Sequence, residues 1–183
     1  MNIAVFASGT GTTLQTLIEQ QLTYHYHIEL MVANRDCQAI VRAKVQAIPT
    51  LLTKDWDEID LALTEHRIEL IVLAGFLAII PSWICKKWDK RIINIHPSLL
   101  PKFGGKGMYG IHVQEAVLQA QEKEAGCTIH YVSGEVDGGE IIAQATIEVL
   151  SNDTPETLSQ RVQAEEKKLL PCIIGEFVQG HLS

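Results

Sequence analysis

Cysteine is scarce and scattered. The four in 183 residues, Cys37, Cys85, Cys127 and Cys172, form no C-x-x-C pair, which excludes zinc-knuckle and thioredoxin-like motifs. We expect buried thiols in a reducing compartment, and no metal. Positive charge is also in deficit: 15 Lys and Arg stand against 22 Asp and Glu, for a net charge of -7. A nucleic-acid groove would need clustered cations. A small anion needs less, since one loop of backbone N–H groups can hold a phosphate on an acidic protein. No apolar run is long enough to cross a bilayer. No basic segment precedes the apolar residues 1–7, so no targeting peptide is expected. Repeats, linkers and low-complexity stretches are missing too. These absences predict a single domain over residues 1–183, soluble and cytoplasmic. It would act on small molecules, without nucleic acid or membrane, as a monomer or homodimer.

What the sequence does have is an alternating rhythm. Residues 2–7 (NIAVFA) read as a buried strand, 8–11 as a turn, and 12–21 as a helix capped by Thr12 or Thr13. Strands follow at 27–33 and 49–53, and helical segments at 40–46 and 57–66. Residues 69–74 (ELIVLA) are the strongest strand signal, Pro81 starts a short helix, and 91–95 (RIINI) is another strand. Alternating β and α segments predict an α/β fold with an open, mostly parallel, Rossmann-like sheet and helices on both faces. Beyond a glycine-rich loop (KFGGKGMYG, 102–110) and a helix at 112–122, strands at 127–132 and 140–149 are too close for a crossover. They should pair antiparallel in the C-terminal half. Thr154 or Asp153 caps a last helix with Pro155 at its first position, and Pro171 is expected to kink or break it.

Ser8-Gly9-Thr10-Gly11-Thr12-Thr13 joins a strand to a helix. Three readings are open: a phosphate cradle at the helix N-terminus, a dinucleotide fingerprint, or a structural turn. The dinucleotide reading is the weakest. Its third glycine falls on Leu14, and the second strand ends in Ala33-Asn34-Arg35 without the acidic residue expected there.

Asn94 and His96 are two apart on a strand that Pro97 must end, so they project to one side at its carboxyl end. Ligands of open α/β sheets bind at that end. Asp137, before Gly138-Gly139, is a candidate partner for His96. Such a trio suits acyl transfer to an amine. An Asn N–H stabilises the oxyanion. A His relays a proton, and a carboxylate beside it favours its charged form. A satisfied turn Asn, a core His and a plain turn are the competing readings.

Three strings, NIHPSLLPKF (94–103), EVDGG (135–139) and SGTGTTLQ (8–15), together resemble the phosphoribosylglycinamide formyltransferases, folate-dependent enzymes of purine biosynthesis. LAGFLAII (73–80) is similar to the family's folate-site strand and loop, and RVQAEE (161–166) to its C-terminal helix, so the likeness covers essentially the whole chain. The resemblance implies 10-formyltetrahydrofolate as cosubstrate and Asn94, His96 and Asp137 as catalytic residues. It implies Leu77, Ala78, Ile79, Ile80, Val132 and Val136 around the pterin. Gly11, Thr12 and Thr13 would hold the substrate phosphate, with Gln163, Glu166 and His112 as further substrate contacts.

The chain departs from the family at Thr13, where an Asn is common, at Ala78, where an Arg is common, and in the longer loop at 104–109. Other folate formyltransferases and deformylases share the chemistry but carry additional domains or longer chains. A nicotinamide oxidoreductase and a non-catalytic binding domain are the rivals of other classes.

Overall fold

The computed structural model describes residues 1–182. Seven strands are β1 (Asn2–Phe6), β2 (His27–Ala33), β3 (Thr50–Leu52), β4 (Leu70–Leu73), β5 (Ile92–His96), β6 (Glu124–Tyr131) and β7 (Ile141–Glu148). They form one sheet in the order β3-β2-β1-β4-β5-β6-β7. β1 to β5 pair in parallel; β6 runs antiparallel to β5, and β7 antiparallel to β6. The sheet is thus mixed in the way expected. Alternation along β1 sorts the core into two layers. Ile3 and Val5 face helices α1 (Thr12–Tyr24), α2 (Gln38–Val45) and α6 (Pro155–Val178), whereas Ala4 and Phe6 face α3 (Trp56–Glu65) and α4 (Ser82–Lys87). α5 (Ile111–Gln119) lies on the α6 side through Val117.

Several local expectations need correction. The cap of α1 is Gly11, in the left-handed region with φ 72°, and no side chain caps the helix, so Thr12 and Thr13 are helical residues and not caps. Pro171 does not break α6, which runs through it over 24 residues. Proline there removes one helical hydrogen bond, but Leu170, Pro171, Ile173 and Ile174 are all buried, and that packing holds the helix together. The capping of α6 by Thr154, with Pro155 behind it, is as read from sequence. Of the four cysteines, all free, Cys85 and Cys127 are buried while Cys172 is exposed on the outer face of α6.

Candidate active site

β1 and β4 are neighbours, yet the chain leaves them in opposite directions, towards β2 on one side and β5 on the other. A crevice over the carboxyl ends of such strands is the usual ligand site of an open α/β sheet. A cavity of about 680 Å³ opens there. At one end, Gly11, Thr12 and Thr13 line it. A Cβ on Gly11 would lie 2.7 Å from the Ala39 Cα, so close packing of α2 and the positive φ both demand glycine. With no side-chain cap, the first-turn N–H groups of α1 have no partner within the helix, and the positive end of its dipole meets the cavity.

α6 contributes Gln163 and Glu166 to the same cavity, one turn apart. Glu166 is 7% exposed, and its side chain has no hydrogen-bond partner among the described residues. Burial pushes its carboxyl up to about 7, only partly countered by Lys167. Leu77, Ala78, Ile79 and Ile80 form another wall, with Val132 and Val136 also lining the cavity. Leu77, Ile79 and Val136 stay 46%, 71% and 49% exposed, an apolar surface left open at the mouth. His112 is not brought to the cavity. It stands exposed on α5, its Nδ1 2.9 Å from Glu115. Tyr109, a cavity-lining residue, packs edge-on against it at 5.6 Å.

The opposite end is built by side chains on paired strands. Register places Asn94 of β5 directly across from His130 of β6. Asn94 Nδ2 lies 3.0 Å from His130 Nε2, and His130 Nδ1 lies 2.8 Å from the Tyr131 carbonyl. Asn94 carries two amide N–H groups and a single ring nitrogen can take at most one of them, so the second stays available. Asp137, in the left-handed region at φ 54°, stands between the two histidines. Its carboxylate is 3.6 Å from His96 Nδ1 and 3.6 Å from His130 Nε2. The Gly105 N–H donates to it at 2.9 Å. His96 Nε2 is 2.9 Å from the Phe103 carbonyl. The turn that carries this carbonyl is clamped by Thr128, whose hydroxyl donates to the Ser98 carbonyl at 2.6 Å and accepts the Leu100 N–H at 3.0 Å.

Burial is the largest influence on His96 and lowers its pKa. The Phe103 carbonyl and Asp137 oppose it without prevailing, and the net shift is below the ordinary value of 6.5. His96 is therefore mostly neutral at pH 7 in the free protein, contrary to the expectation that Asp137 would keep it charged. Burial alone would raise Asp137, but its contact with His130, the nearby His96 and the Gly105 N–H together bring it below the ordinary carboxylate value. A firmly ionised carboxylate thus sits beside a neutral imidazole.

The sequence model of the family described as formyl transferase matches residues 1–174. The chain belongs to the formyl transferase family. It is 35% identical over 192 residues to the phosphoribosylglycinamide formyltransferase of Haemophilus influenzae, covering 98% of this chain and 88% of that protein. It is 38% identical over 193 residues to the chloroplastic phosphoribosylglycinamide formyltransferase of Arabidopsis thaliana, with 98% of this chain covered. The chain spans 66% of that plant protein's length, and 14% of the trifunctional purine biosynthetic protein adenosine-3 of Drosophila melanogaster. The crystal structure of phosphoribosylglycinamide formyltransferase from Anaplasma phagocytophilum superposes with a TM-score of 0.91 at 36% identity, covering 98% of this chain and 88% of that one.

In this formyl transferase, sequence reasoning missed His130, which touches both Asn94 and Asp137. The available signal was the antiparallel hairpin itself. Once β6 lies beside β5, register sets His130 against Asn94. Ser8 was also missed. It is buried, accepts the Leu77 N–H at 3.0 Å and so joins the glycine loop to the apolar wall.

Proposed function

We propose that this formyl transferase moves the formyl group of 10-formyltetrahydrofolate onto the amine of glycinamide ribonucleotide, a step of purine biosynthesis in the cytoplasm, as one domain over residues 1–183. The observation that carries the reading is the joining of three fitting surfaces in one cavity. These are an anion-ready helix terminus, an open apolar wall, and the Asn94, His96, Asp137 cluster, with Glu166 lining the same cavity. The apolar wall fits a flat aromatic ring, because Leu77, Ile79 and Val136 offer side chains that such a ring would cover. Glu166 and Gln163 fit ribose hydroxyls, which a carboxylate and an amide accept or donate to.

The amine nitrogen attacks the formyl carbon and the carbonyl oxygen becomes an oxyanion. The free N–H of Asn94, its amide held in place by His130, stabilises that charge. The growing negative charge raises the proton affinity of neutral His96. His96 takes the proton lost by the attacking nitrogen and releases it towards the departing folate nitrogen. Ionised Asp137 stabilises the imidazolium formed between these events. The test is an absorbance assay with a 10-formyl folate, with and without glycinamide ribonucleotide. Turnover that requires the acceptor supports the transferase. Turnover without it would mean a deformylase, and none with either would remove the proposal.

A further inference from the structure

The loop 8–13 is held by two arginines in the same manner. Arg35, just beyond β2, donates its Nε–H to the Ser8 carbonyl at 2.7 Å, and Arg42 of α2 donates its Nε–H to the Thr10 carbonyl at 2.8 Å. A guanidinium has five N–H donors, so each arginine retains four. Neither pairs with a carboxylate among the described residues, whereas Arg161 does, with Asp153. Arg67 and Arg91 form no such pair either, so what sets Arg35 apart is its place at the cavity. Only one of the two reaches the cavity: Arg35 lines it and Arg42 does not.

We infer that Arg35 is a positioning and specificity residue for the acceptor's phosphate, a role that rests on the proposed function above. Its Nε bond fixes the planar head beside the loop, and Arg35 lines the same cavity as the first turn of α1. A fork of donors next to an anion-ready helix terminus suits a phosphate dianion. In dinucleotide folds the residue at the end of the second strand distinguishes ligands at this place, an acid for a free ribose hydroxyl and an arginine for a phosphate. The same physical logic applies here with a cation at that strand end. Glu166, nine-tenths buried and with no side-chain hydrogen bond among the described residues, lines the same cavity, an independent sign that a polar ligand fills it.

Arg35→Gln separates the two roles of the side chain. The Gln amide nitrogen occupies the position of Arg Nε, so it can still donate to the Ser8 carbonyl, but the charged head is gone. The probes are D-ribose 5-phosphate and inorganic phosphate, titrated calorimetrically, together with steady-state kinetics. Arg35→Gln should weaken ribose 5-phosphate binding and raise acceptor KM by about ten- to a hundredfold, with kcat and folate KM within about twofold. Arg35→Lys should fall between. Unchanged ribose 5-phosphate affinity in Arg35→Gln would overturn the assignment, as would a rise in folate KM instead of acceptor KM, or a wild-type protein that binds neither phosphate probe. Arg35-dependent ribose 5-phosphate binding by a protein that lacks formyl transfer would uphold the assignment and sink the proposed function instead.

Discussion

The two ends of the cavity are prepared for charge by opposite means. The phosphate-like end is backbone: a glycine in a left-handed turn, free N–H groups and a helix dipole, with side chains only at the margins. The other end is side chain: an amide, two imidazoles and a carboxylate, mostly buried, each within 3.6 Å of at least one of the others. Backbone donors survive substitution of the residues that carry them, so Thr13 in place of an amide side chain leaves those N–H groups in place. Side-chain donors do not survive it. The contrast makes each end breakable in its own way.

The largest effect is expected at the side-chain end. Asn94→Asp replaces the N–H donors with a second carboxylate against His130, which Asp137 already faces. Removing one oxyanion donor costs roughly 10²–10³ in kcat, and this variant should lose at least that much. Its circular dichroism and its affinity for ribose 5-phosphate should match the wild type. His130→Ala should lose less. The double variant should lose much less than the product of the single losses, since His130 acts through Asn94. Independent, multiplying losses in that cycle would separate His130 from the amide it touches. The same logic predicts sub-additive losses for His96→Ala with Asp137→Ala.

Next in size is Glu166, which α6 brings to the cavity wall. Its folded value is raised from the ordinary 4.5 to about 7. A raised value means that the stability is present below the ordinary value and is lost as pH rises through the folded one. The ligand-free protein should therefore lose on the order of 3 kcal/mol between pH 5 and pH 8 from this group. Thermal melts should show the fall, and Glu166→Gln should flatten it. A slope that persists in Glu166→Gln would place the titrating group elsewhere. The same ionisation should improve acceptor binding above pH 7, because two ribose hydroxyls prefer a carboxylate to an acid.

Gly11→Ala strikes the backbone end directly. The methyl group would stand 2.7 Å from the Ala39 Cα in a conformation with φ 72°. Strain of this kind costs about 1–3 kcal/mol. Denaturant melts should show that loss, and acceptor KM should rise while kcat changes little. A fall in kcat with unchanged KM would mean that the loop orients the reacting groups instead of the phosphate.

The same contrast explains what could be read in advance. The glycine loop, the strand periods and the Asn94–His96 pair are local, so a short window of sequence carries them. The antiparallel pairing of β6 with β7 followed from a connection too short for a crossover, and the sheet has it. His130 could not be read that way, since its role arises from register between strands 36 residues apart in sequence. The balance at His96 was also hidden. A neighbouring acid is visible in sequence, but the burial that outweighs it is a property of the assembled core. Pro171 misled for a related reason: local propensity predicts a break, and tertiary packing of α6 overrides it.

The smallest expected effect marks where the cavity stops. His112 was carried to the substrate by resemblance alone, and here its side chain is 57% exposed and faces Glu115 on its own helix. An exposed pair three residues apart on a helix is worth only a few tenths of a kcal/mol. His112→Ala should accordingly leave stability within about 0.5 kcal/mol and acceptor KM within about twofold. Tyr109 is the residue through which any larger effect would have to pass, since it packs on His112 and lines the cavity. If His112→Ala raises acceptor KM tenfold and Tyr109→Leu reproduces that rise, the loop over 104–110 carries the imidazole's influence inward, and the boundary drawn between cavity and surface is wrong at that point.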